Sequence, residues 1–270
     1  QFPVIYDTMT VRQNLEFPLR NRGVASGEIA RRVDDTLRII DLADKADRPA
    51  RRLTADEKQK ISLGRGLVRS DVNAILFDEP LTVIDPHMKW QLRSKLKQLH
   101  QRFAFTMIYV THDQTEAADK VVVMYEGEVV QTGTPDELFR KPRHTFVGYF
   151  IGSPGMNVLP CEAFGTTATI GGHKVRLPAG APKGATALEI GIRPEFITLT
   201  GDKRKGIPVT VRRVEDIGRF RIVHADLDGR PIAATLPEGS EIPAEPRAVL
   251  DPANVNLYAD SWLVEGGRGP

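Results

Sequence analysis

At 270 residues the chain is long enough for one large or two modest domains, and its 41% hydrophobic and 27% charged residues are ordinary for a globular protein. A net charge of +2 gives no general case for nucleic acid, and a single cysteine, Cys161, excludes an internal disulfide and a cysteine-rich zinc site while fitting a reducing compartment. No run approaches the ~18 apolar residues of a membrane helix and no signal peptide is visible, so membrane contact would have to come through a partner.

Residues 1–70 read mainly as helical. Ile29, Val33, Leu37 and Ile40 recur at helical spacing, with Arg31, Arg32, Asp34 and Asp35 between them, and the segment 23–27 separates this helix from the N-terminal loop. Ala74, Ile75, Leu76 and Phe77 then form an apolar run bounded by turn signals, which predicts a fully buried strand. It stops at Asp78, Glu79 and Pro80. At the end of a buried parallel strand, side chains project into the crevice where α/β sheets bind ligands. One carboxylate there can hold Mg²⁺ through water and its neighbour can accept or orient a proton of an attacking water. A strand followed by an acidic turn reads the same way from these residues alone.

Asp85 before Pro86 reads as an N-cap with proline at the first helical position, and Met88, Leu92, Leu96, Leu99 and Phe103 form a core-facing stripe. Residues 106–110 predict a second buried strand, which ends at Thr111, His112 and Asp113. Residues 121–125 and 128–130 predict a hairpin around Glu126 and Gly127, and Thr134, Pro135 and Glu137 a capping box opening a short helix that ends near Pro142. From about residue 156 glycine and proline become frequent. Short β-rich runs at 168–170, 174–177, 187–192, 209–214, 221–227 and 232–236 predict a barrel or sandwich, and no aromatic platform with basic interleaving points to nucleic acid.

The stretch 74–85 resembles the Walker B motif and aspartate loop of ATP-binding cassette (ABC) ATPases. Residues 1–19, with Met9, Thr10, Val11, Asn14, Phe17, Pro18 and Leu19, resemble the glutamine loop of the sugar-importer branch. Residues 109–114 resemble the switch-histidine motif. Gly191, Ile192, Arg193, Pro194 and Glu195 resemble the "GIRPE" segment of the oligosaccharide-binding-fold domain appended to such ATPases, and residues 249–258 its last strand. These motifs cover nearly the whole chain in family order. The fold class implied is α/β, an ABC-type P-loop ATPase domain at residues 1–152 followed by a β-rich, OB-fold-like regulatory and dimerisation domain at 153–270. The ATPase domain divides into a helical subdomain at about 8–70 and a catalytic α/β part at about 71–152.

Three departures stand out. The family signature L-S-G-G-Q followed by a basic helix falls on Leu53, Thr54, Ala55, Asp56 and Glu57. Thr54 keeps the hydroxyl, but β-carbons replace the glycines and two carboxylates would repel phosphate at short range, so a degenerate signature is expected. Acidic residues also suit a helix N-terminus, so the same residues fit harmless drift. Where the family reads H-D-Q-x-E-A-x-x-x-A-D, Glu116 and Ala117 run directly into Ala118 and Asp119. About three residues are absent there, a rotation of roughly 60°, and they are expected to be missing from the sequence. The P-loop pattern G-x-x-x-x-G-K-[ST] does not occur in the 270 residues. The chain therefore reads as an N-terminally incomplete fragment opening inside a loop motif, inactive alone and a poor binder of ATP.

The resemblance implies ATP and Mg²⁺ as cofactors, with Asp78 and Gln1 at the metal, mostly through water. It implies Glu79 as the residue that polarises the attacking water and His112 as the contact to the terminal phosphate. Thr54 and Asp85 are implied as nucleotide-binding residues at a dimer seam; for Asp85, capping and seam roles are compatible. The implied partners are a second ABC ATPase, as a heterodimer or as a second copy, and transmembrane permease subunits, with no nucleic acid. The implied location is the cytoplasmic face of the inner membrane, as a peripheral protein. The pattern looks most like one of the paired ATPases of a proteobacterial glycerol-type importer. A non-catalytic coupling subunit, and a ligand-sensing β module with a vestigial ATPase half, remain the other readings.

Overall fold

The structure, a computed structural model, describes residues 3–69, 72–82, 84–103, 106–113, 119–178, 180–182 and 187–264. It forms two compact units, Gln1–Ala117 and Ala118–Pro270.

In the first unit three helices precede a strand–helix–strand unit: α1 (Val11–Arg20), α2 (Ser26–Ile39), α3 (Ala55–Leu67), β1 (Ala74–Asp78), α4 (Pro86–Phe103) and β2 (Thr106–Val110). Helix α1 starts at a capping box between Thr10 and Gln13, which satisfies backbone N–H groups that the helix itself leaves unpaired. Val11, Leu15 and Leu19 on α1 meet Ile29, Val33, Leu37 and Ile40 in one apolar cluster, as the helical spacing predicts. Gly64 of α3 fits where a β-carbon would lie 2.8 Å from the Leu15 side chain and 3.0 Å from that of Ile40, so its lack of a side chain permits the close approach of α3. Gly27, expected in the separating loop, lies inside the first turn of α2.

Strands β1 and β2 pair in parallel, with Asp78 opposite Val110. The expectation of fully buried strands is corrected here. Ile75 and Phe77 are buried with Leu63, Leu81, Leu92 and Leu96, but Leu76 is 73% exposed and Val110 58%. Successive side chains of a strand point to opposite faces, and among the described residues packing covers only one face of this two-stranded sheet. Helix α4 begins at Pro86 as expected, and Leu92 and Leu96 are buried; the side chains of Met88, Leu99 and Phe103 lie outside the described residues.

The second unit opens with the hairpin β3 (Val121–Tyr125) and β4 (Glu128–Gly133). Glu126 and Gly127 both have positive φ, 50° and 84°, the mirror-image turn that matches strand twist. Helix α5 (Pro135–Arg140) carries the expected capping box, and α6 (Thr145–Phe150) follows. The β-rich remainder comprises β5 (Asn157–Pro160), β6 (Glu162–Phe164), β7 (Thr167–Ile170), β8 (His173–Arg176), β9 (Leu188–Ile192), β10 (Ile197–Thr200), β11 (Ile207–Pro208), β12 (Thr210–Asp216), β13 (Phe220–Leu227), β14 (Arg230–Pro237), β15 (Arg247–Leu250), β16 (Asn256–Ala259) and β17 (Trp262–Leu263). They form sheets in the orders β17-β16-β9-β5, β6-β7-β8, β10-β15-β11 and β12-β13-β14. Residues 249–258, expected as one last strand, are instead β15 and β16, parted by a 3₁₀ turn at Pro252–Asn254. Leu159, Ile170, Ile190, Leu227, Ala248 and Leu257 share one apolar cluster that joins all four sheets.

Two buried polar residues fasten this unit. Asn157 donates to Ile192 O and Ala233 O and accepts from Ala233 N–H, linking β5 and β9 to β14. Arg193, 4% exposed, donates to Phe139 O and Ile151 O, both at 2.6 Å, and its guanidinium lies 3.9 Å over the Phe139 ring. A cation near the last carbonyls of α5 and α6 complements their negative ends.

His144 caps α6, its Nδ1 accepting from Phe146 N–H at 3.1 Å, and its ring meets Trp262 edge-on. Burial pushes its pKa below the usual imidazole value of 6.5, while Glu126 and Glu189 pull less strongly the other way. The unfolded chain therefore binds the proton more readily, and the stabilisation is complete above the unfolded value and lost as pH falls below it. Unfolding free energy should drop between pH 8 and pH 5 relative to a His144→Asn variant, as the buried imidazole takes up its proton. Asparagine can cap without titrating, so urea denaturation of the two proteins at both pH values checks this.

Candidate active site

The site lies at the C-terminal ends of β1 and β2. The ladder runs one residue past β1: Glu79 N–H donates to Val110 O at 2.8 Å. At that point the backbone reverses, with Glu79 at φ 48°, and Pro80 follows without an N–H to continue the ladder. A positive φ is uncommon for a side-chain-bearing residue and costs about 1 kcal/mol or more.

The turn brings Glu79 to His112, the second residue after β2. His112 Nδ1 is 2.6 Å from Glu79 Oε1, and the backbone N–H of His112 donates to the same oxygen at 3.1 Å. Thr82 Oγ1 donates to Oε2 at 2.8 Å. The Glu79 side chain is 16% exposed, whereas the imidazole is 72% exposed. Burial is the largest single influence on the Glu79 carboxyl and raises its pKa, but the donors from His112 and Thr82 together outweigh it, so the pKa falls below the ordinary value. An ionised carboxylate only accepts hydrogen bonds, which assigns the hydrogen in the short contact to Nδ1.

Asp78, the last residue of β1, is exposed beside this pair. A hard carboxylate oxygen at an open strand end suits a water-coordinated Mg²⁺, although among the described residues no cluster of three or more His, Cys, Asp or Glu side chains accompanies it. Asp85 is exposed immediately before α4, and its carbonyl accepts from Lys89 N–H at 2.9 Å. Asp113 faces Lys89 at 3.9 Å and Arg93 at 3.7 Å on α4.

Thr54 is the N-cap of α3. Its Oγ1 accepts from Glu57 N–H at 3.3 Å, and the Glu57 carboxylate accepts from Thr54 N–H at 2.9 Å while pairing with Lys45. Asp56 pairs with Lys60 at 3.5 Å, and Lys58 with Asp7 at 2.9 Å. The acidic residues of this turn thus form a capping box and ion pairs. Gln1 lies outside the described residues, as does the junction around Glu116, Ala117 and Ala118. The segment following Gln1 is fastened to α1 and α3. Buried Asn14 holds Tyr6 through both its N–H and its carbonyl, and Arg65 stacks over the Tyr6 ring at 4.9 Å and donates to Val4 O.

Sequence reasoning missed two residues. Thr82 stands three positions after Glu79, a spacing at which turn hydroxyls reach back, and only that generic turn signal marks it. Gln59 lies between Lys58 and Lys60 and reads as part of a solvated face, yet it is 5% exposed and its Nε2 donates to Pro80 O at 3.0 Å. It ties α3 to the residue that follows Glu79.

Residues 190–264 match the TOBE domain family. Over 258 residues the chain is 36% identical to the sn-glycerol-3-phosphate import ATP-binding protein UgpC of Cereibacter sphaeroides, a match covering 94% of this chain and 73% of that protein. The chain belongs to the ABC transporter ATP-binding protein family. This ABC chain is also 34% identical over 265 residues to the sulfoquinovosyl glycerol transport ATP-binding protein SmoE of Agrobacterium fabrum, covering 94% of one and 74% of the other. To the UgpC of Chromohalobacter salexigens it is 39% identical over 232 residues, covering 83% and 62%. Among the first relatives it matches, the ABC chain spans 64–67% of their length. With the β-rich second unit and the TOBE match, it is an α/β chain similar to glycerol-3-phosphate import and sulfoquinovosyl glycerol transport ATP-binding proteins.

Replacing Gln59 by glutamate tests the α3 strut. Two acceptors would then face each other at the 3.0 Å contact, in a buried place. Burial raises the new carboxyl's folded pKa above its unfolded value, so its contribution is present at low pH and lost as pH rises through the folded value. Denaturant unfolding should show Gln59→Glu destabilised by at least about 2 kcal/mol at pH 7, with partial recovery near pH 5.

Proposed function

We propose that this chain is an ATP-binding and ATP-hydrolysing subunit that powers an ABC importer of a sugar, glycerol or related polyol. The observation that carries this reading is the Glu79–His112 contact of 2.6 Å at the ends of two parallel strands, beside Asp78. The bound nucleotide with Mg²⁺ supplies the phosphoanhydride and the positive charge next to it. Asp78, with Gln1, would hold the metal through water. Glu79 would orient the attacking water by accepting a hydrogen bond, and then the proton, from it; His112 donates to the Glu79 carboxylate, and its exposed ring would meet the terminal phosphate. This is positioning and charge stabilisation, the usual physics of phosphoryl transfer.

The reading extends to domains and partners. Residues 1–152 are assigned to the nucleotide-binding domain, with the helical subdomain at about 8–70, and residues 153–270 to the OB-fold-like regulatory and dimerisation domain; the TOBE match supports the latter. Thr54 and Asp85 are assigned to a dimer seam. In the first turn of α3 the Glu57 carboxylate already occupies the helix N-terminus, where a phosphate would otherwise be favoured. A homodimer would then have two weakened sites, and pairing with a second ATPase carrying an intact L-S-G-G-Q would restore one. Transmembrane permease subunits complete the assembly at the cytoplasmic face of the inner membrane. Among the described residues no helix is long and apolar enough to cross a membrane, so membrane attachment would run through those subunits.

The test compares ATPase rates of the full-length protein alone and mixed with the second ATPase and the permease subunits, beside Glu79→Gln. Glutamine keeps the shape but is a far poorer proton acceptor. Activity confined to the mixture, and reduced by about 10²–10⁴-fold in the variant, is the expected result. Full activity of the homodimer would contradict the heterodimer. Unchanged activity of the variant in the mixture would mean that turnover occurs elsewhere and that this subunit couples or regulates.

A further inference from the structure

Glu79 is held at both carboxylate oxygens, and the two holders come from different segments. Oε1 takes two donors, the backbone N–H and the Nδ1 position of His112, beyond β2. Among the described residues Oε2 takes one, the hydroxyl of Thr82, within the turn that leads to Asp85 and α4. A carboxylate oxygen has two acceptor positions. Oε1 is therefore filled, and the remaining acceptor position of the group lies on Oε2, beside Thr82. Thr82 is bound to Glu79 a second time, its N–H lying 3.4 Å from Glu79 O, so the hydroxyl is fixed by the same turn that fixes the backbone. Gln59 clamps the intervening Pro80 carbonyl from α3. Thr82 itself is exposed, so its hydroxyl is not required to fill the core.

We propose that Thr82 is a positioning residue: its hydroxyl sets the rotation of the Glu79 carboxylate so that the one open acceptor position of Oε2 faces the water to be activated. The proposal rests on the reading of Glu79 as the water-orienting carboxylate. His112 alone anchors one end of the group and leaves rotation about the bond to that end. The second donor removes this freedom. Valine at position 82 keeps the branched shape and deletes the donor, whereas serine keeps the donor and deletes a methyl group.

The experiment uses the full-length protein in its transport complex, with Thr82→Val, Thr82→Ser and Glu79→Gln. It reads kcat at saturating ATP and, separately, the affinity for a non-hydrolysable ATP analogue by calorimetry. Thr82→Val should lower kcat about ten-fold or more, as misplacement of a reacting group does, with analogue affinity within about two-fold of the parent. Thr82→Ser should restore kcat to within about two-fold, and Thr82→Val should have no further effect in the Glu79→Gln background. Unchanged kcat in Thr82→Val, equal losses in the valine and serine variants, or a loss of analogue affinity matching the loss of kcat would each overturn the proposal. Full activity of Glu79→Gln alone would instead overturn the underlying reading of Glu79, an outcome visible without any change at Thr82.

Discussion

The geometry of the site depends on one backbone hydrogen bond and the turn it permits. Glu79 N–H donates to Val110 O, which carries the parallel ladder one residue beyond β1. The chain then turns at φ 48°, and the Glu79 side chain swings across the strand ends instead of continuing outward. Without this reversal, alternation along β1 would place Glu79 on the face opposite Asp78, the buried face of Ile75 and Phe77, and not directed to His112. The contact of 2.6 Å between Glu79 and His112 thus follows from strand register, through the opposition of Asp78 and Val110. Shifting β2 by one residue would carry His112 away from the carboxylate and invert the faces of Tyr109 and Val110.

The supports around this turn differ in kind. The buried face of β1 packs Ile75 and Phe77 on Leu63 of α3 and on Leu92 and Leu96 of α4, which fixes the strand but says little about the orientation of one carboxylate. Orientation comes from directional contacts: Thr82 from the turn, His112 from beyond β2 and Gln59 from α3 through the Pro80 carbonyl. Helix α3 also holds the segment after Gln1 through Lys58 and Arg65. The same helix therefore touches the backbone behind Glu79 and the segment around Val4 and Asp7, and a shift of α3 would be felt at both. In the second unit, Arg193 plays a comparable part, joining the ends of α5 and α6 to β9 with carbonyl contacts from a nearly inaccessible guanidinium.

Much of this was legible in the residues. An apolar run ending in two carboxylates and a histidine after the second run mark the strand ends at which Glu79 and His112 meet, because strand ends are where parallel sheets present chemistry. The capping box at Thr134 and the turn at Glu126 and Gly127 follow from local rules that need no tertiary contact. The exposed faces of β1 and β2 were not legible: an unbroken apolar run reads as buried on both sides, whereas exposure depends on what packs there. Gln59 was hidden because a polar residue among lysines reads as solvated, and its burial depends on the approach of the 79–82 turn. The last β-rich run, 249–258, concealed a 3₁₀ turn at Pro252–Asn254 that only Pro252 hinted at.

The central claim is that Glu79 and His112 act as one unit rather than as two independent contributors. A double-mutant cycle on the full-length complex, with Glu79→Gln, His112→Ala and both together, measures this directly through kcat. The account predicts that the double variant loses little more than the worse single variant, a coupling of about 1–3 kcal/mol in the activation free energy. Losses that multiply, with the double variant reduced by the product of the two single effects, would show that the contact carries no functional coupling and would contradict it.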